Sequence, residues 1–316
     1  MRLCITLLIC LAISTPSDAE PLQWLDAFKL QFATEPQISP DGENIAYIRV
    51  SGDIKTDKFQ NRLWLISADD DSHQRVGDTH ASQSSPSWSP DGNTLAFSQS
   101  KDDNHTIQLS SPDKRKSNEL VSLENGASGL TWSPDGSQIA FVQFVEEEQN
   151  LIVDLPTAPK GAEWAKEMIQ IDKPIYRRDG SGYVKYGYDQ VFIVDIESGE
   201  VTQVTSDDYD HSGPFSWSKD GASIYIAGQF YADWEHTPRA EHLYKVNVAT
   251  GEKQLFLELK GPASAPSVSP DGNTVAFLGF VDDKRSFQQT DVFIVPATGG
   301  DPVNLTGEFD RSISAL

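Results

Sequence analysis

The chain has 316 residues and carries 47 acidic against 25 basic side chains, which gives a formal net charge of −22 at pH 7. Proteins bind nucleic acids through basic surfaces, so this charge argues against a nucleic acid partner and against docking to anionic lipid. The acidic surface is typical of a protein kept in solution by its charge, and it indicates no particular ligand.

Residues 1–19 have the pattern of a secretory signal peptide. A charged start is followed by an unbroken apolar run over residues 3–13 and by a small-x-small cleavage site at Ser17-Asp18-Ala19. The apolar run is too short for a membrane-spanning anchor, and the residue before Cys10 is too large for a lipid-anchored start. We therefore expect an exported protein, periplasmic or secreted, with no membrane insertion after cleavage.

Cys4 and Cys10 both lie in this peptide, so the predicted mature chain, residues 20–316, contains no cysteine. Without disulfides its fold must be held by a buried core, and a chain of this length can bury one. The same count excludes thiol catalysis and cysteine-based zinc sites.

A repeated tetrapeptide organises the mature chain. Ser-Pro-Asp-Gly, with Lys replacing Pro in the fourth copy, follows a large apolar residue and precedes an apolar triplet such as Ile139-Ala140-Phe141. The five copies occupy residues 39–42, 89–92, 133–136, 218–221 and 269–272. Pro and Gly favour tight turns, so each copy predicts a β-hairpin.

The spacing of the copies predicts a β-propeller, because units of about 45 to 50 residues with four short strands are typical of propeller blades. The expected fold class is therefore all-β, with about five four-stranded blades within residues 20–316. Residues 21–35 have apolar side chains at roughly helical spacing and predict a short leading helix or coil. The first blade is expected to begin at Pro36.

The third unit contains an insertion of about residues 145–188, between its second and third strands. Its first half has a helical patch between Trp164 and Ile169, and its second half contains Arg177 and Arg178. Binding residues concentrate in loops carried by rigid scaffolds, and a guanidinium can bind a carboxylate bidentately. Both arginines are therefore candidate substrate-binding residues. The alternative is that they pair with the neighbouring Asp179 and only close their own loop.

His211, between Asp210 and Ser212, precedes the fourth unit. Residues adjacent in sequence do not converge as catalytic triads do, so the pattern favours a structural turn in which Asp210 and His211 bond to nearby backbone. A substrate contact by His211 is the alternative. The histidines lack zinc-binding spacing, and the runs at residues 69–71 and 146–148 predict solvated turns rather than metal sites. We expect no metal and no cofactor.

Residues 309–316 have the pattern of the first strand of a sixth unit, but no further Ser-Pro-Asp-Gly follows them. A single-stranded blade would leave an unpaired edge, so we expect a truncated ring of five blades plus the start of a sixth, the N-terminal part of something longer. The alternative is a five-blade ring in which residues 309–316 supply the last strand, since propellers with as few as four blades exist.

These motifs resemble those of a known family. The repeat and its following (I/L/V)-A-(F/Y) strand are similar to the repeats of TolB-type propellers and of the prolyl-oligopeptidase family. PQISPDGENIAYIRV resembles the first blade of bacterial dipeptidyl- and acylaminoacyl-peptidases of that family. YRRDGSGY and the later QVFIVDIESGEVTQVTSDDYDHSGPFSWSKDG resemble their middle blades. The resemblance covers most of the mature chain.

In that family the propeller precedes an α/β-hydrolase domain with a Ser nucleophile in G-x-S-x-G, and it filters substrates by size. This chain has no such motif, because Gly126-Ala127-Ser128-Gly129-Leu130 lacks the last glycine, so we expect no catalytic residue in it. The resemblance implies a substrate-gating, non-catalytic propeller of an exported serine peptidase that cleaves short peptides. Its implied partners are the hydrolase domain and peptide substrates. The alternative is a stand-alone TolB-like periplasmic propeller that binds a protein.

Overall fold

A computed structural model describes residues 21–69, 72–112, 116–148, 151–153, 156–163, 169–180 and 182–316. The predicted signal peptide and residues 164–168 of the predicted helical patch lie outside these ranges. Among the described residues the chain forms 22 strands and two short 3₁₀ turns, at Trp24–Lys29 and Trp234–His236. In these ranges no helix has the length and apolar character needed to cross a membrane.

The described strands form five four-stranded antiparallel sheets, each with its strands in chain order from one edge to the other. Sheet 1 contains β1 (Gln31–Ile38), β2 (Asn44–Asp53), β3 (Lys58–Ser67) and β4 (His73–Arg75). Sheet 2 contains β5 (Ser82–Trp88), β6 (Leu95–Lys101), β7 (Asn104–Ser110) and β8 (Asn118–Leu123).

Sheet 3 begins with β9 (Ala127–Trp132) and β10 (Gln138–Glu146). The insertion then contributes a small hairpin of β11 (Arg177–Arg178) and β12 (Gly182–Tyr183), and sheet 3 is completed by β13 (Gly187–Asp195) and β14 (Val201–Gln203). Sheet 4 contains β15 (Phe215–Trp217), β16 (Ser223–Gly228), β17 (His242–Asn247) and β18 (Lys253–Leu257). Sheet 5 contains β19 (Ala263–Val268), β20 (Thr274–Gly279), β21 (Asp291–Pro296) and β22 (Val303–Asn304).

The predicted fold class, all-β with four-stranded blades, is confirmed, but both ends of the chain differ from expectation. Sheet 1 begins at Gln31 rather than Pro36, because the helical spacing ends near Phe28 and Phe32 already packs against Phe59 of β3, with ring centroids 6.4 Å apart. Residues 309–316 form no strand, so neither the opening strand of a sixth blade nor the closing strand of a five-blade ring is present there.

Each pair of consecutive sheets buries an apolar cluster between them. Successive side chains of a strand point to opposite faces, so Phe97 of β6 joins the cluster with sheet 1 while Ala96 joins the cluster with sheet 3. In sheets 2, 3 and 4 this explains why the triplet after the turn is apolar without alternation, because both faces of its strand are buried. Sheets 5 and 1 share no such cluster in the described ranges, so the ring is open there.

The repeated tetrapeptide forms the tight hairpin turn that the sequence predicts. In the third copy, the Ser133 hydroxyl donates to Asp135 Oδ1 at 2.6 Å and accepts the Gln138 N–H at 3.0 Å. Asp135 Oδ1 also accepts the Ser137 N–H at 3.0 Å, and Gly136 has φ 73°, the left-handed region that glycine tolerates best. The motif therefore supplies its own hydrogen-bond partners and needs no tertiary contact to form.

The tryptophan before the motif joins neighbouring blades. The indole Nε1 of Trp88, Trp132 and Trp217 donates to a carbonyl oxygen in the first strand of the preceding sheet, at 3.1, 3.0 and 3.1 Å. In all three cases the accepting carbonyl belongs to the residue just before the large apolar residue that precedes the motif in that sheet. The repeated turns therefore lie side by side on one face of the ring, which we call the turn face. The connections between second and third strands lie on the opposite, loop face.

Four of the five first strands contain the same backbone irregularity. Glu35, Ser85, Gly129 and Ala265, each four residues before the serine of the motif, have φ between 48 and 64°. A register shift next to each marks a bulge, which bends the strand. In sheet 4 this position is Pro214, whose ring fixes φ at a negative value, so the bulge cannot form there.

We predict that Trp132→Phe lowers the free energy of unfolding by about 1–2 kcal/mol, because the carbonyl of Ser87 loses its donor between two packed blades. Urea unfolding followed by circular dichroism measures this change. Trp24→Phe is the matched control, since Trp24 is 78% exposed. Equal stability losses in the two variants would contradict the role of the indole.

The turn aspartates predict acid sensitivity. Hydrogen bonds from Ser89 and from Asn93 lower the pKa of Asp91 to about 2. A carboxylate whose pKa is lower in the folded than in the unfolded chain adds stability above the unfolded pKa and loses it as the pH falls through the folded pKa. We expect Asp91→Asn to reduce the loss of unfolding free energy between about pH 5 and about pH 3.

Urea unfolding at both pH values tests this expectation. Asp310→Asn, at a side chain that is 97% exposed, is the control and should leave the pH dependence as it is in the parent protein. An Asp91→Asn variant with the parent's pH dependence would show that the turn hydrogen bonds do not hold this carboxylate ionised.

Candidate functional site

The loop face is uneven. The connections between second and third strands are short in sheets 1 and 2, at residues 54–57 and 102–103, but long in sheets 3, 4 and 5, at residues 147–186, 229–241 and 280–290. Long loops on a rigid scaffold are where binding sites are commonly built. The candidate site lies between the first two of these long connections.

Two adjoining cavities of about 140 and 230 Å³ lie between the insertion of sheet 3 and the long loop of sheet 4. Ile175, Arg178, Asp210 and Trp234 line both of them, and Glu241 lines the larger one. We call these two cavities together the insertion cleft. Its walls therefore combine a guanidinium, two lysine ammonium groups, apolar surface and four carboxylates, those of Asp172, Asp210, Glu235 and Glu241.

Arg177 and Arg178 are neighbours on the hairpin, so their side chains point to opposite sides of it. Arg178 lines both cavities, whereas Arg177 lines neither and lies 6.0 Å from the centre of the Tyr183 ring. Within the described ranges neither guanidinium forms an ion pair, with Asp179 or any other carboxylate. Arg178 is exposed and available to a ligand in the cleft.

Carboxylates lie across the cleft from Arg178. Asp210 Oδ1 accepts the backbone N–H of Asp189 at 3.1 Å. Burial raises the pKa of Asp189, the charge of Asp210 raises it further, and Arg178 opposes both effects. Burial also raises the pKa of Glu241, whose side chain has no hydrogen bond or ion pair to any residue that the structure describes. The carboxylates and Arg178 give the cleft charges of both signs.

His211 lies in the wall behind the cleft and is fully buried. Its backbone N–H donates to the Asp189 carbonyl at 2.8 Å, and its ring stacks on Phe230 with centroids 4.4 Å apart. Its Nε2 lies 3.3 Å from Lys253 Nζ and 3.4 Å from Asp207 Oδ1, and Lys253 pairs with Asp207. Burial and the charge of Lys253 lower the pKa of His211 to about 4, so the ring is neutral at pH 7.

The structure thus shows Asp210 and His211 bonded to neighbouring backbone, as in the structural turn that the sequence favours. A substrate contact by His211 would require the ring to leave its stack with Phe230. The proline at residue 214 explains why the segment with Asp210 and His211 lies against β13. Because it excludes the bulge found in the other first strands, β15 has only three residues, and the chain before it instead bonds to β13.

The insertion is fixed to sheet 3 at the base of the cleft. Lys173 Nζ donates to the Tyr188 hydroxyl at 2.9 Å and lies 4.5 and 4.3 Å from the ring centres of Tyr186 and Tyr188. An ammonium over two aromatic rings is attracted by both. This contact holds the hairpin that carries Arg178 against β13.

Arg178 is predicted from the sequence as a binding residue. Asp210, Trp234 and Glu241 also line the cleft, but the sequence does not indicate this. Only the proline at residue 214, in the place of a bulge residue, could have indicated that the segment before sheet 4 follows a different path. Among the residues that the structure describes, no three His, Cys, Asp or Glu side chains converge as a metal site would require.

The chain is similar in sequence to known proteins. Residues 27–142 match the model of the TolB beta propeller domain. An uncharacterized peptidase, YuxL, of Bacillus subtilis is 28% identical over 191 residues, which are 60% of this chain and 28% of that protein. Dipeptidyl-peptidase 5 of Porphyromonas gingivalis is 23% identical over 299 residues, which are 91% of this chain and 43% of that protein.

Among solved structures, the acylaminoacyl peptidase of Pyrococcus horikoshii superposes with a TM-score of 0.67 at 16% identity, covering 91% of this chain and 41% of that one. The chain therefore spans less than half the length of the peptidases it matches. The resemblance seen in the sequence is confirmed: residues 27–142 match the TolB beta propeller domain, the chain has the β-propeller fold, and the proteins it resembles are peptidases.

Proposed function

We propose that this chain is the propeller portion of an exported serine peptidase and that it binds short peptides in the insertion cleft. The observation that carries the proposal is Arg178, an exposed guanidinium without an ionic partner among the described residues, in a cleft that also contains apolar walls. A guanidinium offers paired donors to a carboxylate or carbonyl oxygen of a peptide. Ile175 and Trp234 offer contact area to its side chains.

The size of the cleft supports a gating role. Its two cavities, of about 140 and 230 Å³, together lie near the lower end of the roughly 300–1,000 Å³ typical of ligand pockets. The contact between Lys173 and Tyr188 also fixes the insertion to sheet 3 beside the smaller cavity. We propose that such a cleft admits short peptides and turns away larger chains.

The loop face also supports docking of a hydrolase domain. Large exposed apolar side chains on this face include Ile54 and Phe59 of sheet 1, Ile152 of the insertion and Phe287 of sheet 5. The turn face carries the aspartates of the repeated motif, and Ile38 is exposed there. Exposed apolar patches mark protein-binding faces. On this proposal the hydrolase domain covers the loop face, and peptides reach it past the insertion cleft.

The match of residues 27–142 to the TolB beta propeller domain favours a second candidate function, a stand-alone periplasmic propeller that binds a protein partner. Such a module would bind a folded protein without needing Arg178. Binding of short peptides therefore separates the two proposals.

We predict that Arg178→Gln weakens binding of the tripeptide Ala-Ala-Ala by about tenfold or more, the effect of losing one charge-assisted pair. Isothermal titration of the tripeptide into residues 20–316 measures this. Arg177→Gln is the matched control, because Arg177 lies outside the cleft, and it should bind like the parent protein.

Equal losses in both variants, or no peptide binding by the parent chain, would contradict the proposal and favour the protein-binding module. The same chain should not hydrolyse a chromogenic dipeptide, since it lacks the G-x-S-x-G motif. Turnover would show that catalysis does not depend on a separate domain.

The wall behind the cleft predicts a pH dependence. The pKa of buried His211 is about 4 when folded, against 6.5 when unfolded, so the unfolded chain binds a proton that the folded chain does not. Its contribution to stability is present above pH 6.5 and is lost as the pH falls toward about 4. The slope reaches at most about 1.4 kcal/mol per pH unit.

We expect His211→Phe, which keeps a ring against Phe230, to flatten the stability profile between these two pH values. His80→Phe is the control, because the His80 side chain is 83% exposed. Chemical denaturation across this pH range gives both profiles. A parent-like slope in His211→Phe would show that another group causes the pH dependence.

A further inference from the structure

Sheet 1 has a face that no described strand or helix covers. Its other face buries Ile48 and Leu63 against sheet 2. On the uncovered face Arg49 stands opposite Arg62, and Trp64 stands opposite Arg75, across paired strands. We call these four residues the arginine face.

The three guanidinium groups are held in place by neutral partners. Arg49 lies with its Cζ 3.9 Å from the centre of the Trp64 ring, and it donates to the Tyr47 hydroxyl. Arg62 donates to the Asn61 carbonyl at 3.1 Å, and Arg75 donates to the Thr79 carbonyl at 2.7 Å. None of the three forms an ion pair with a described residue. The cations are oriented but form no contact ion pair, and the carboxylates of Asp78 and Asp53 act on Arg62 only from a distance.

This arrangement is unfavourable for the sheet by itself. Like charges directly opposite each other on neighbouring strands are destabilising, and Arg49 and Arg62 are such a pair. Burial and then the charge of Arg75 lower the pKa of Arg62, while the charges of Asp78 and Asp53 oppose this shift. Two donors on the face, Trp64 Nε1 and Arg75 Nε, are buried and have no acceptor. Buried N–H groups are nearly always hydrogen-bonded in folded proteins, so these two donors are exceptions.

We infer that the arginine face docks a protein element that presents carboxylates. Carboxylate oxygens are the acceptors that complement guanidinium groups, because they accept paired hydrogen bonds from them. A nucleic acid is disfavoured as the occupant because the chain carries a net charge of −22. The inference does not depend on the insertion cleft.

The test uses residues 20–316 and a fluorescein-labelled hexaglutamate peptide, with hexaglutamine as the neutral comparison, followed by fluorescence anisotropy at low salt. Because the chain as a whole repels an acidic peptide, binding requires a local excess of positive charge. We expect hexaglutamate to bind at least about tenfold more tightly than hexaglutamine. Arg49→Gln with Arg62→Gln should remove this difference, and Arg75→Gln alone should reduce it.

Arg285→Gln with Arg311→Gln is the matched control, since both side chains are well exposed and lie outside the arginine face, and it should preserve binding. Equal binding of the two peptides, or unchanged hexaglutamate binding in the Arg49/Arg62 variant, overturns the inference. Tighter binding of a hexathymidine oligonucleotide than of hexaglutamate overturns it in favour of a phosphate ligand. A dimer in light scattering that the Arg49/Arg62 variant abolishes overturns it in favour of a second copy of the chain.

Discussion

An inner blade of this propeller has two apolar faces and buries each of them against a neighbouring blade. The strand after each turn shows the consequence, since Ala96 and Phe97 are successive residues that enter two different apolar clusters. A single blade could not be stable by itself, because at least one apolar face would remain in water. The relative placement of blades is therefore the requirement that the rest of the sequence has to meet.

The repeated motif meets this requirement with two separate devices. Within a blade, Ser133 and Asp135 close the turn through local hydrogen bonds. Between blades, the indole of Trp132 fixes the register by bonding to the preceding first strand. Where one part of the repeat is replaced, the path of the chain changes: Pro214 removes the bulge, and the freed segment brings Asp210 to the insertion cleft. The candidate site thus arises from a local departure from the repeat.

The difference between local and distant contacts also explains how much could be predicted from the sequence. The turns depend on residues within a few positions of one another, and the four-stranded blades and the fold class follow from a pattern that repeats along the chain, so the sequence predicted them. Arg178 was predicted from its insertion, but the bond between Asp189 and Asp210 joins residues 21 positions apart. The like-charge pair of Arg49 and Arg62 depends on the register of two strands. Periodicity gives neither of these contacts, because neither repeats from blade to blade.

The two ends of the open ring differ in chemistry, and this difference bears on how the ring could close. On the outer face of sheet 5, Ile294 stands beside Val303 and Ala276, and the side chain of Val303 is 57% exposed. Direct closure of five blades would press this hydrocarbon surface against the arginine face of sheet 1. Guanidinium groups would then lose water without gaining a carboxylate, which costs several kcal/mol for each buried ion. The apolar end and the cationic end therefore call for different neighbours, and a separate protein element against each face satisfies both.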